Sequence, residues 1–506
     1  MTKPRLASTG RAAVRGTRCA VLGALTAAGI WLGVALGAAP AQNISLQVFP
    51  DATGRIGTFK VDGPVDTSNP FFQSLGTNGR SCATCHDAAQ ALSFTPAAAR
   101  DRYEATRGRD PLFASVDGAN CQSVTRRDRA GHSLVLNNGL IRVGLKVPVS
   151  AEFSIAVVHD PYGCALQTDA ATGQLVASVY RRPLPTANLG FLSAVMFDGR
   201  ETGVPLNSAD TFSANLRADL MHQALDATLG HAEAAVAPSD AQLNAIVDFE
   251  LALTTAQISD NRAGMLSAAG ALGGPLYLAQ EEYYPGINDS LGMAPDGAAF
   301  STDVMQMFGK WAQTQRPIYD DRTRMRADIA AGEQIFNAFP LTIADVRGLN
   351  DNSAINRPTS FVGHCTSCHD TPNVGNHSLP LPLDIGTSHT ASPSMESDPA
   401  IAAAMNELST PDLPVFLIQG CPNPFNPGQP ASFYTTDPGR ALITGHCSDF
   451  NRVKGPILRG LAARAPYFHN GAAADLGELV NFYNQRFQMA LTDRQKRQLV
   501  AFLNSL

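Results

Sequence analysis

Cys82-Ala83-Thr84-Cys85-His86 recurs 283 positions further on as Cys365-Thr366-Ser367-Cys368-His369. In each copy two thiols three residues apart can add to the two vinyl groups of one porphyrin, and the adjoining imidazole then falls on the iron. Each copy therefore predicts a covalently attached haem c, with His86 and His369 as the first iron ligands. A zinc site would need the two pairs to converge on one ion, and it gives no reason for a histidine to follow both.

The start of the chain agrees with that chemistry. Lys3, Arg5, Arg11, Arg15 and Arg18 precede an apolar run from about Cys19 to Ala38, followed by Ala39-Pro40-Ala41. This pattern predicts a secretory signal peptide over residues 1–41 and a periplasmic protein; an uncleaved anchor is the alternative reading, and no later stretch is apolar enough to span a membrane. Loss of the five cations takes the formal net charge from −6 to −11. An acidic protein is not expected to bind nucleic acid or anionic membranes, but suits a basic electron donor or a small neutral substrate. Cys121, Cys164, Cys421 and Cys447 remain outside the signal and the haem motifs. An oxidising compartment makes disulfides of them; nearest-neighbour pairing joins Cys121 to Cys164 and Cys421 to Cys447, among three connectivities.

About 465 mature residues are too many for one core. The expected organisation is a first haem domain over 42–256, a Gly-, Ala-, Pro- and Tyr-rich connector over 257–325, and a second haem domain over 326–506. Ser239 to Gln242 reads as a capping box opening a helix through Leu243, Ile246, Val247 and Leu251. Ile329, Ile335 and Phe336 mark a helix leading to the second motif, and Leu476, Leu479, Val480, Tyr483 and Phe487 mark another, capped by Asp475 and Glu478. Glu152 to His159 and Leu175 to Tyr180 read as two strands about a turn. The predicted fold class is mainly α: two cytochrome c-like haem domains with long irregular loops, a small β-hairpin insertion and the connector.

Two further stretches, Met196-Phe197-Asp198-Gly199-Arg200-Glu201 and Lys454-Gly455-Pro456-Ile457-Leu458-Arg459-Gly460-Leu461 followed by Ala465-Pro466-Tyr467-Phe468-His469-Asn470-Gly471, complete an ordered set with the paired haem motifs. The set resembles the bacterial dihaem cytochrome c peroxidase and MauG superfamily. That resemblance implies a periplasmic oxidoreductase in which the N-terminal haem meets hydrogen peroxide and the C-terminal haem feeds it electrons or stores oxidising equivalents. It implies a small c-type cytochrome or cupredoxin as donor. By position it makes Tyr483 the distal ligand of the C-terminal haem iron, with Met489 or a histidine as the alternative, and it makes Gln223 and Glu233 the distal residues at the N-terminal haem, with His231 able to serve instead of Glu233. A carboxylate or imidazole there carries a proton between the two peroxide oxygens.

Two departures from the family pattern stand out. Phe197 occupies the place where the family has a tryptophan between the haems, and phenylalanine offers no hopping site for charge. A calcium ion that many members hold would take carbonyls of Arg464 and Pro466, but its asparagine position falls near Pro183, leaving Asn188 as a substitute. Arg181 and Arg182 are candidates for the haem propionates. His132 and His159 are the histidines available for a sixth ligand on the first haem, which is expected to be five-coordinate. Beside peroxide reduction, two other functions fit: a MauG-like oxidase acting on a protein or organic molecule, and a non-enzymatic dihaem electron carrier.

Overall fold

Asp51 and Gly54 set the first turn of the fold: the Asp51 carboxylate accepts the Thr53 and Gly54 amides at 2.8 and 2.9 Å and folds Ser45–Pro50 back on Gly54–Lys60. This computed structural model describes residues 45–203, 212–312, 320–352, 358–390, 392, 395, 398–423, 426–430 and 432–506. The signal peptide read over 1–41 lies outside the described residues. The hairpin continues across Leu253–Asp260 to Gly264–Met265, making an antiparallel four-stranded sheet.

The expectation of a mainly α fold with one small hairpin is not met. Among the described residues fourteen strands form five sheets. The two strands read from the sequence do not pair with each other. Leu175–Arg181 lies between Ile141–Lys146 and Leu166–Thr168, whereas Ser154–His159 pairs with Val415–Gln419 from the other half of the chain. The reason is burial. Ile155 and Val157 close over Phe416 and Ile418 on a core that also takes Val179, Leu442 and Phe450, and such long-range pairing leaves no local signal. The Cys421–Cys447 disulfide sits at the edge of this core and Cys121–Cys164 elsewhere, the two pairs that sequence proximity favours.

The helical expectations hold. Helix α1 covers Phe212–Gly230; α2, Asp240–Leu251, opens on the Ser239–Gln242 capping box. Helix α3, Asp321–Ala338, starts at the Asp320 cap and buries Ile329, Ile335 and Phe336. Asp475 caps α4, Leu476–Arg486, and α5 runs over Asp493–Leu503. Val304, Met305, Phe308 and Trp311, from the stretch read as a connector, are buried in the same core as Ile329 and Phe502. Residues Asn43–Leu506 form one compact unit, and no helix among the described residues is long and apolar enough to cross a membrane.

Helices α3 and α5 approach closely because Gly332 has no side chain: a Cβ there would lie 2.1 Å from the Gln498 carbonyl oxygen and 2.6 Å from Phe502 Cβ. Gly332→Ala is therefore expected to destabilise the fold by about 1–3 kcal/mol through overpacking, read as a lower urea midpoint.

Candidate functional site

The two Cys-x-x-Cys-His segments fold alike. Each pair of cysteines opens on a short 3₁₀ turn, Cys82–Thr84 and Cys365–Ser367, that brings the second thiol and the histidine back beside the first. None of these four cysteines is in a disulfide, while the other four described cysteines are paired with each other. His86 Nδ1 is 3.0 Å from the Leu92 carbonyl and His369 Nδ1 is 2.6 Å from the Gly375 carbonyl. A carbonyl partner makes Nδ1 the protonated nitrogen and leaves Nε2 with its lone pair free for a metal. Burial pushes both imidazoles down to about 4, so they remain neutral at ordinary pH.

Each motif lines its own cavity. The first, about 1640 Å³ with its mouth, is bounded by Cys82, Cys85, His86, Gln223 and His231. The second, about 1610 Å³, is bounded by Cys365, Cys368, His369, Tyr483 and His469. Arg182, Pro183, Leu184, Phe197, Lys454 and Pro456 line both and so form the wall between them. Phe197, read from the sequence as the inter-haem residue, is in that wall, its ring 6.0 Å from the His469 ring. Trp311 is stacked on Phe308 in the core and lines neither cavity.

Among the described residues, Arg182, Lys454 and Arg464 have no carboxylate partner. Arg182 donates to the carbonyls of Gly139, Phe94 and Arg464, Lys454 to that of Ala194, and Arg464 to that of Ile457. Burial drags Lys454 down to about 7, Arg182 to about 9 and Arg464 to about 10, and Arg464 Nε has no partner. Buried cations in this state await anions. Arg181 differs: Asp198 and Asp437 hold it on both sides. Two thiols, a metal-ready imidazole and buried cations fit a haem c in each cavity, with Arg182, Lys454 and Arg464 placed for its propionates.

The residues expected at the N-terminal haem separate in the structure. Gln223, on α1, and His231, just past its end, both line the first cavity. Glu233 does not: it is exposed, and its carboxylate accepts Asn78 Nδ2 at 3.0 Å. His231 Nδ1 bonds Asp117, whose other oxygen pairs with Arg80. Burial alone would raise the Asp117 carboxyl, but Arg80 and His231 outweigh it and hold it below the usual range. His231 is also near enough to His86 to disfavour protonation there. Nothing in the sequence marked Asp117 or Arg80 as its partners. His132 is buried between the Gly118 and Thr125 carbonyls and His159 pairs with Asp412; neither lines the cavity.

Glu250, from α2, was also unmarked by the sequence. It lines the first cavity with its Oε2 unpartnered, and burial pushes its carboxyl up to about 8. A groove of about 1390 Å³ adjoins the cavity at Gln223 and His231 and carries Arg142, Lys146, Arg200 and Asp226.

In the second cavity Tyr483 stands beside the two thiols, and burial, with the thiols adding to it, pushes its phenol up. Met489, His377 and His469 line the same space. His469 is 3.3 Å from the Ser388 hydroxyl. Asn188 Nδ2 donates to the Thr255 carbonyl and its Oδ1 accepts the Thr255 amide, and the Arg464 carbonyl accepts from Arg182, so two of the three groups read as calcium ligands are hydrogen-bonded within the protein.

No family model matches the chain. A cytochrome-c peroxidase, IdrP2, of Denitromonas iodatirespirans is 31% identical over 151 residues, which are 28% of this chain and 36% of that protein. The match thus spans about a third of the relative's length.

Proposed function

We propose that the chain is an exported peroxidase-like oxidoreductase carrying a haem c in each cavity, which reduces hydrogen peroxide in the first cavity with electrons entering through the second. The observation that carries this reading is His231, fixed by Asp117 on the wall of the cavity that holds Cys82, Cys85 and His86. The similarity to a cytochrome-c peroxidase supports the reaction class, and the two disulfides support an oxidising compartment.

A bound haem supplies the redox chemistry. The protein's part is to hold peroxide and move its proton. With Nδ1 committed to Asp117, His231 keeps Nε2 as the nitrogen able to take the proton from one peroxide oxygen and return it to the other, so that the leaving oxygen departs as water. The full reaction consumes one H₂O₂, two electrons and two protons and yields two waters. Gln223, on the same wall, can hydrogen-bond the peroxide and orient it. Phe197 fills the wall between the cavities with a ring that is not reversibly oxidised, so charge crosses there by tunnelling past a packed side chain. Tyr483 would offer its phenol oxygen to a haem iron held in the second cavity, and an oxygen ligand of that kind would favour ferric and higher-valent iron. The donor is a small c-type cytochrome or cupredoxin, steered by the net negative charge of the processed chain.

A second reading, oxidation of an organic or protein substrate, is favoured by the polar groove that opens beside His231.

Electron paramagnetic resonance of the ferric protein, before and after stoichiometric peroxide, tests the proposal. One high-spin haem that reacts and one low-spin haem are expected. Tyr483→Phe should change the low-spin signal alone. Two low-spin haems that ignore peroxide, in the half-reduced protein as well, would identify an electron carrier instead.

A further inference from the structure

Beyond the cavities, a third group of ligating side chains is buried next to the second motif. Asp370 follows His369, His377 lies seven residues further on, and Asp289 reaches both from the stretch between the motifs. Asp289 and Asp370 are both 0% exposed and His377 is 3%. One ligating atom from each of the three lies within 4.8 Å of the others, the span that donors around one metal ion occupy.

The hydrogen bonding of this group is incomplete. Asp289 Oδ2 accepts the Leu291 and Met293 amides at 3.1 and 2.7 Å. Asp370 Oδ1 accepts the Ser378 amide at 2.6 Å and its Oδ2 the Ser290 amide at 3.2 Å. His377 Nδ1 lies 3.5 Å from Asp370 Oδ2 and 3.2 Å from the Leu379 amide nitrogen. No lysine or arginine pairs with either acid among the described residues. Asp289 Oδ1 is fully buried and has no hydrogen-bond partner; Asn376 Oδ1, in the same loop, is another buried acceptor without a donor. Two buried carboxylates side by side, one with an orphaned oxygen, call for a cation rather than for more acceptors.

We propose that Asp289, Asp370 and His377 bind one divalent transition-metal ion, distinct from the haem irons. Two carboxylate oxygens with one imidazole nitrogen suit zinc or manganese. The ion clamps the segment around Asp289 to the loop that carries Gly375, whose carbonyl orients His369.

The test uses the haem-loaded protein, stripped with a chelator and titrated with zinc by calorimetry. The group of buried Glu201 with exposed His222 and Asp226 could compete for zinc, so the titration is run on a His222→Gln background. One zinc per chain is expected, with affinity falling at least about 10–100-fold in Asp289→Asn and in His377→Gln. Zinc should also raise the melting temperature of the His222→Gln protein and leave that of the Asp289→Asn double variant unmoved, with unchanged haem absorbance certifying that both are folded. No zinc uptake on the His222→Gln background, or equal uptake by the Asp289→Asn protein, would overturn the site. Neither result bears on peroxide reduction, which is measured separately.

Discussion

His231→Gln is expected to lower kcat/KM for hydrogen peroxide by about 10²–10⁴-fold, the range that a positioned acid–base group contributes. Glutamine keeps a polar side chain of similar reach but cannot accept and return a proton. Asp117 makes the loss specific to the proton step, because its carboxylate fixes the imidazole tautomer and is itself fixed by Arg80. Arg80 is immobile in turn, since it donates to the Pro111 carbonyl at 2.8 Å, the Leu112 carbonyl at 2.6 Å and the His231 carbonyl at 3.2 Å. Asp117→Asn should therefore show a smaller loss in the same direction. Glu233→Gln should stay within a few-fold of wild type, because that carboxylate is exposed and held by Asn78 outside the cavity. Stopped-flow kinetics on the reduced protein decides between them: a large loss in Glu233→Gln with little in His231→Gln would reassign the proton carrier to the carboxylate.

Arg181→Met should destabilise the protein by about 3–5 kcal/mol, the cost of leaving buried charge without its partner. Arg181 bridges Asp198, at 2.5 Å, and Asp437, at 2.6 Å, and all three are buried. It thereby ties the end of Leu175–Arg181 to two distant stretches of chain beside the wall between the cavities. Burial by itself would raise the Asp198 carboxyl, but Arg181 and Arg200 outweigh it and hold it at about 2. A depressed carboxyl contributes stability that is complete above its unfolded value near 4 and is lost as pH falls toward 2. Urea unfolding of wild type between pH 5 and 3 should show the midpoint beginning to fall below about pH 4. In the variant the carboxylates lose their cation, and the midpoint should be lower throughout. An Arg181→Met protein as stable as wild type at pH 7 would show that the network contributes nothing net.

What could be read in advance divides along physical lines. Helix starts were legible because a cap is a local event: Ser239 with Gln242, and Asp475, do at α2 and α4 what their spacing says. Strand partners were not. Ser154–His159 was recognisable as a strand, but its partner lies some 260 residues away, and only the shared core of Ile155, Val157, Phe416 and Ile418 selects it. The strand Ser45–Pro50 turns the apolar side chains of Leu46 and Val48 outward, against the usual pattern of a half-buried strand.

The sequence by itself determined the local arrangement of each motif: two thiols and an imidazole within five residues meet whatever the rest of the chain does, and Phe197 and Tyr483 could be located by their neighbours. Tertiary structure alone decided which of several candidates surrounds each motif. It drew His231 rather than Glu233 to the first cavity, gave it Asp117 and Arg80, and left Arg182, Lys454 and Arg464 buried without carboxylates. A spacing of a few residues fixes local geometry, whereas the pairing of buried charges depends on which distant segments exclude water together.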